Sequence, residues 1–318
     1  MSHGLDENTN MMYIGETPWH GLGVKLPHGI LRVADIPEVC PAVAFEQALQ
    51  PMYYERPDGT IAKSTTARAL IRTDTGAELN VVGMQYSPLQ WEDRFGFFDP
   101  LVAAGVAEYS TAGALEGGRR TWIQAKLNKP IRVGRDDIIE KTLLLSDGVK
   151  VATTVGATND RVVCENTLTA AMVGLNVQAK IRHTRSNVMR LEELTDIIMQ
   201  AERYYEAVGE RFNRMAEVGV TGEQVADFCR VLVPDPTEGK STVRATNQRE
   251  AIMRLFENGP GAELETAKGT VWGLYNAATA FVDHERGTNR EKRLVSQWFG
   301  SGKALKQTAF DAATALAA

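Results

Sequence analysis

The chain predicts an α+β fold: an antiparallel β-meander with crossing helices in the first half and a helical second half. Three observations carry that prediction. From residue 52 to about 154, runs of strand-forming residues alternate with period two between glycine-bearing turns. After residue 186 the apolar period changes to that of an amphipathic helix. Strands are thus gathered before the helices rather than interleaved with them, which separates α+β from a parallel α/β arrangement. The organisation read from this is an arm with loops over residues 1–50, a sheet core with helices over 51–186, and a helical region over 187–318.

Taken in order, residues 1–10 are polar and acidic, unlike a signal peptide, and residues 17–23 hold Pro18, Trp19, His20 and two glycines, a loop that Trp19 can anchor. Residues 31–36 and 45–49 each suit a short helix or extended piece. Two hairpin signals follow: the turn Pro57, Asp58, Gly59 between residues 52–56 and 61–63, and the turn Asp74, Thr75, Gly76 between 68–73 and 78–83. Residues 90–104 place Trp91, Phe95, Phe98, Leu101 and Val102 at helical spacing, and Pro100 should kink or end that helix. A third hairpin joins 106–115 to 119–127 through Glu116, Gly117 and Gly118. In its second strand, alternation sets Arg120, Trp122, Gln124 and Lys126 on one face. Residues 138–145 and 149–154 form another pair around Asp147 and Gly148.

The stretch 153–171 is the expected hinge of the fold. A strand ending at Arg161–Cys164 meets Glu165, Asn166 and Thr167, where Asn and Thr suit the N-cap of a short helix carrying Leu168 to Leu175. Beyond residue 186, Leu191, Leu194, Ile198, Ala201, Tyr205, Val208, Phe212 and Met215 form one long apolar stripe. Thr221 and Gln224 fit a capping box. A polar linker over 234–246 leads to helices over 248–256, 270–283 and 294–315, broken at Gly259–Gly261 and Gly300–Gly302.

Composition excludes several classes. A hydrophobic content of 43% supports real cores, and a formal net charge of −5 rules out coating nucleic acid by bulk charge. Any polyanion site must be a local patch. Cys40, Cys164 and Cys229 are too scattered for a disulfide framework or zinc site, and read as reduced thiols of a cytoplasmic protein. No apolar run reaches membrane-spanning length. Neither P-loop, Rossmann glycine fingerprint, GxSxG nor HExxH occurs, so no cofactor or metal is called for.

Three constellations can carry chemistry. Arg119, Arg120, Lys126, Lys129, Arg132 and Arg135, with Lys180, Arg182, His183, Arg185 and Arg190, could form a groove that tracks phosphates while Trp122 stacks a base. The plainer reading is solvated strand faces, paired locally with Asp136, Asp137 and Glu140. Arg161, Glu165 and Asn166 could hold a substrate or bind the backbone of a neighbouring strand, or a buried Arg–Glu pair could simply fix the junction. Asp283, His284, Glu285 and Arg286 resemble an acid–base set, yet neighbours on a helix diverge by about 100°, and cations at a helix C-terminus need no further reason.

The motifs at Trp19–Gly21, Gln85–Leu89, Thr111–Gly113 with Gly117–Arg120, Arg161–Leu168, His183–Arg185, Thr270–Ala277 and Asp283–Glu285 resemble, in order, a phage- and plasmid-related family catalogued as a domain of unknown function (number 932). The resemblance implies a mobile-element origin and a bacterial cytoplasmic setting, and supplies no activity. In layout alone the chain is similar to phage single-strand annealing proteins. The leading expectation is single-stranded DNA binding or annealing in recombination, by a homo-oligomer, through Arg119, Arg120, Trp122, Lys126, Arg161, Lys180, Arg182, His183 and Arg185. Two alternatives stand beside it: a hydrolase or nucleotide-modifying enzyme using Glu165, His183, Asp283 and His284, and a protein-interaction module acting against host defence. Self-association rests on the long helix and the Ala-rich residues 309–318.

Overall fold

The structure is a computed structural model that describes residues 11–15, 23–26, 44–149, 151–161, 166–168, 178–181, 191–237, 241–287, 293, 296–297 and 300–318. It is an α+β protein. Twelve strands are described: β1 (Met11–Ile14), β2 (Val24–Leu26), β3 (Gln47–Glu55), β4 (Ile61–Arg72), β5 (Glu78–Gly83), β6 (Ala107–Leu115), β7 (Arg120–Leu127), β8 (Ile131–Val133), β9 (Asp137–Gly148), β10 (Val151–Arg161), β11 (Asn166–Leu168) and β12 (Gln178–Ile181). The helices are α1 (Trp91–Phe95), α2 (Asp99–Ala103), α3 (Leu191–Glu217), α4 (Gly222–Leu232), α5 (Val243–Asn258), α6 (Val271–Ala280) and α7 (Ser301–Leu316). One sheet has the order β3-β4-β5; the other runs β11-β10-β9-β7-β6-β1-β2, with β12 also on β10 and β8 on β9.

The chain divides into two compact units that interleave along the sequence. The first takes residues 1–128, 143–156 and 177–198; the second takes 129–142, 157–176 and 199–318.

In the first unit, turn chemistry sets the strands. Gly59 and Gly76 sit at positive φ in the two turns flanking β4, where a side chain would be strained. The expected pair of hairpins is therefore one three-stranded sheet, because a single 12-residue strand, β4, serves both. Arg72 holds its end: the guanidinium grips Asp74 in a bidentate pair at 3.0 and 2.6 Å, lies 3.9 Å above the Phe45 ring, and donates to the Gly117 carbonyl. Phe45, Leu70, Leu79, Val82, Ala114 and Val149 form the core beneath this sheet. The helix expected over 90–104 is broken into α1, a short turn, and α2, with Pro100 in the first turn of α2, where its missing N–H costs nothing.

In the second unit, the α3 stripe is buried at Ala201, Tyr205, Val208, Phe212 and Met215. Phe212, Trp272, Tyr275 and Phe310 meet in stacked, tilted and edge-on ring contacts 4.6–6.3 Å apart. Polar ties then fix the strands to this core: Tyr205 donates to the Thr142 and Thr158 carbonyls, and Trp272 Nε1 to Asp137 at 2.8 Å. The capping box at Thr221 and Gln224 is present in both directions.

One expectation fails here. Asn166 and Thr167 do not cap a helix but pair with Arg161 and Asp160 as strand β11. Both residue types suit a strand end as well as a cap, and beyond Leu168 the short helix expected up to Leu175 lies outside the described residues.

Candidate nucleic-acid interface

The predicted basic groove can be followed residue by residue. Arg119, Arg120, Lys126 and Lys180 belong to the first unit, while Lys129, Arg132, Arg135 and Arg161 belong to the second. Lys180 lies on β12 opposite Thr154 of β10, and Arg161 ends β10 opposite Asn166. Arg182, His183, Arg185 and Glu165 lie outside the described residues.

Trp122 corrects the stacking expectation. It is 1% exposed and packs on Gly113, where a Cβ would stand 2.6 Å from the indole. Strand β7 is central in its sheet, and Thr121, Trp122, Ile123, Gln124 and Ala125 are all buried. Alternation therefore separates two covered faces rather than a core face and a wet one. Trp122 cannot meet a base there.

Arg119 is also partly committed. Its guanidinium donates to the Leu79 and Glu78 carbonyls of β5 at 3.0 and 3.5 Å, and Asn80 donates to the Val149 carbonyl at 3.1 Å. These bonds close the edge of the three-stranded sheet. Arg119 and Arg120 line a cleft of about 400 Å³ there, together with Glu78 and Glu116. Two carboxylates offset two guanidinium groups, so this cleft is not a track for a polyanion. In the second unit, Asp137 accepts from the Trp272 indole N–H, and Asp136 is engaged by the backbone and side chain of another segment. Asp136 accepts from the Glu265 N–H and the Thr266 hydroxyl at 2.7 Å each; burial raises its pKa, but those bonds outweigh it and leave it below the usual value.

The predicted acid–base set diverges. Asp283 is buried and ion-paired with Lys306, which is itself fully buried. Glu285 turns outward, its two carboxylate oxygens accepting from the single Nη2 of Arg254 at 2.5 and 2.6 Å, and Arg286 donates to Ser301 Oγ at 3.1 Å. The π-helical turn Phe281–Glu285 fans these side chains apart. Asp283 is therefore engaged inside the core, whereas Glu285 is at the surface. Among the described residues no cluster of His, Cys, Asp and Glu is placed to hold a metal, and no helix is long and apolar enough to cross a membrane.

What sequence reasoning missed is the far end of the three-stranded sheet. β5 pairs β4 only over Ala67–Ile71, whereas β3 pairs it out to Ile61. Residues 53–63 therefore form a two-stranded ribbon beyond the third strand, and a register break between Pro51 and Tyr53 sets it off. Its tip is fixed: Asp58 accepts from the Thr60 N–H and hydroxyl at 2.9 and 2.7 Å. Those bonds, the side-chain one first, hold the Asp58 carboxyl below its ordinary pKa. On the ribbon Tyr53 is 62% exposed, Tyr54 54% and Ile61 66%. Tyr53 stands directly across from Lys63, and Tyr54 across from Ala62. Successive residues face opposite ways, so each side of the ribbon carries one tyrosine. The available signal was the pair Tyr53–Tyr54 in a strand with few apolar neighbours.

No curated protein and no solved structure matches the chain. Residues 78–299 match the family described as a domain of unknown function (DUF932). That match covers more than half of the sequence, and the chain belongs to this family.

Proposed function

We propose that this is a phage- or plasmid-encoded protein that binds single-stranded nucleic acid, DNA foremost, in recombination or annealing. The observation that carries the reading is the exposed Tyr53 in cross-strand register with Lys63 on the protruding ribbon. Single-strand binders combine cations that follow phosphates with aromatic rings on which bases stack, and each stacked base contributes about 1–3 kcal/mol. A ribbon so exposed gains little from its tyrosines in the isolated chain, since two strands alone bury almost nothing. The site thus moves from the expected Trp122 to Tyr53 and Tyr54, with Lys63 and Arg56 as its cations.

The test is binding of a labelled oligothymidylate across a salt series by the full chain and by Tyr53→Ala, Tyr54→Ala and Lys63→Glu. Each tyrosine variant is expected to weaken binding by about 5- to 100-fold, and Lys63→Glu to flatten the salt slope by roughly 0.7 or more. A reversal of Lys180, Arg182 and Arg185 in the same series measures the basic run of the sequence. Salt-insensitive binding, or wild-type affinity in all three ribbon variants, overturns the reading.

A further inference from the structure

The ribbon of residues 53–63 is furnished alike on both sides. Residues directly opposite in an antiparallel pair share a face, and successive residues alternate. Tyr53 stands across the ladder from Lys63, Tyr54 from Ala62, and Glu55 from Ile61. One face therefore carries Tyr53, Glu55, Ile61 and Lys63, and the other carries Tyr54 and Ala62. The ladder runs one step further, since the Arg56 N–H donates to the Thr60 carbonyl at 2.8 Å. Arg56 thus keeps the alternation and joins the Tyr54 face. Each face has one exposed ring and one exposed cation. Neither Arg56 nor Lys63 makes an ion pair among the described residues. Glu55 lies on the Tyr53 face alone, and the Asp58 carboxylate at the tip is engaged by Thr60.

Two rings on opposite faces cannot stack neighbouring bases of one strand, because the backbone of the ribbon stands between them. Resting on the reading that the ribbon stacks bases, we infer that it holds two single strands at once, one on each face. Tyr53 and Lys63 take one strand, and Tyr54 and Arg56 take the other. The substrate is then a pair of strands. Two strands held on one arm meet at an effective concentration set by the width of the arm instead of by their dilution in solution, which is what annealing needs. The two faces differ in charge: Tyr54 and Arg56 act without a carboxylate beside them, whereas Glu55 offsets Lys63 beside Tyr53. The Tyr54 face should hold its strand more tightly and with the steeper dependence on salt.

Calorimetric titration of the full chain with tetrathymidylate, a strand too short to pass round the ribbon, counts the sites. Two molecules per chain are expected, and one in Tyr53→Ala and in Tyr54→Ala. The site left in Tyr53→Ala should weaken with Arg56→Glu, and the site left in Tyr54→Ala with Lys63→Glu, by about fivefold or more in each case. As a second readout, the annealing of two complementary strands labelled for energy transfer should be accelerated by the wild type and by neither tyrosine variant, although each variant still binds one strand. One molecule per chain, weakened by both tyrosine variants alike, overturns this inference and leaves single-strand binding by the ribbon standing. Binding of a long oligothymidylate with none of the tetranucleotide means that one strand needs both faces, and overturns it too. No salt-sensitive binding of either length overturns the ribbon reading itself. Two molecules per chain in every variant place the strands elsewhere and overturn both.

Discussion

Gly113 and Trp122 make one packing unit, in which the indole occupies the space of a missing side chain. Gly113→Ala is therefore expected to cost about 1–3 kcal/mol by overpacking, read as a lower urea midpoint with unchanged slope. Asp74 tests a different force. Its pKa is held below the ordinary 3.8, chiefly by the Arg72 hydrogen bonds. A carboxyl depressed in the folded state stabilises above its unfolded pKa, and that contribution is lost as pH falls through the folded one. The urea midpoint should fall below about pH 4, and Asp74→Asn should make that fall shallower. Cys229 is buried and its thiol is pushed up to about 11 by burial, with Arg249 opposing in part; alkylation mapped by mass spectrometry at pH near 8 should leave it unmodified until the chain unfolds. At this scale the sequence was least legible. Alternation placed Trp122 beside Arg120 and Lys126 correctly, but a period of two cannot say whether one face of a strand is covered or both.

Elements were far more legible, because turns and caps are written in few residues. Pro57–Gly59, Asp74–Gly76 and Glu116–Gly118 each mark a real turn, and the Thr221–Gln224 box starts α4 as expected. Thr221→Ala should cost about 1 kcal/mol of stability, measured by denaturant unfolding. Asn166 and Thr167 misled for the converse reason, since short polar side chains serve caps and strand ends alike. The ribbon makes the sharpest prediction among elements. Tyr53→Ala and Ile61→Ser lie on exposed positions and should leave stability within about 0.5 kcal/mol, while Tyr53→Ala weakens oligonucleotide binding. A stability loss well above that value would mean the ribbon is packed by something in the chain.

For the whole molecule, the change from strands to helices near residue 186 is real, yet the compact units cut across it. A linear boundary drawn from periodicity cannot show that residues 129–142 return to a unit whose helices come much later. The consequence can be measured. A fragment of residues 199–318 contains α4 to α7 but lacks Asp137 and the Thr142 carbonyl, partners of Trp272 and Tyr205. It is expected to show no cooperative thermal transition by circular dichroism, because buried donors lose their acceptors and the aromatic core loses its strand cover. A sharp transition in that fragment would overturn the account. For self-association, Ala201, Tyr205, Val208, Phe212 and Met215 of the α3 stripe, and Ala309, Ala313 and Ala317 at the end of the chain, are buried within the chain and offer no surface to a second copy. A sedimentation measurement decides it independently.

The protruding ribbon also has a bearing on proteolysis. Trypsin cuts after arginine and lysine but not before proline, so Arg56, followed by Pro57, is shielded by its own neighbour. Lys63, on the same exposed arm, has no such shield. A brief digest should therefore nick the ribbon after Lys63 before it opens the packed strands. Occupancy of the arm would then be visible as protection of one bond, a footprint that the chain carries without any label.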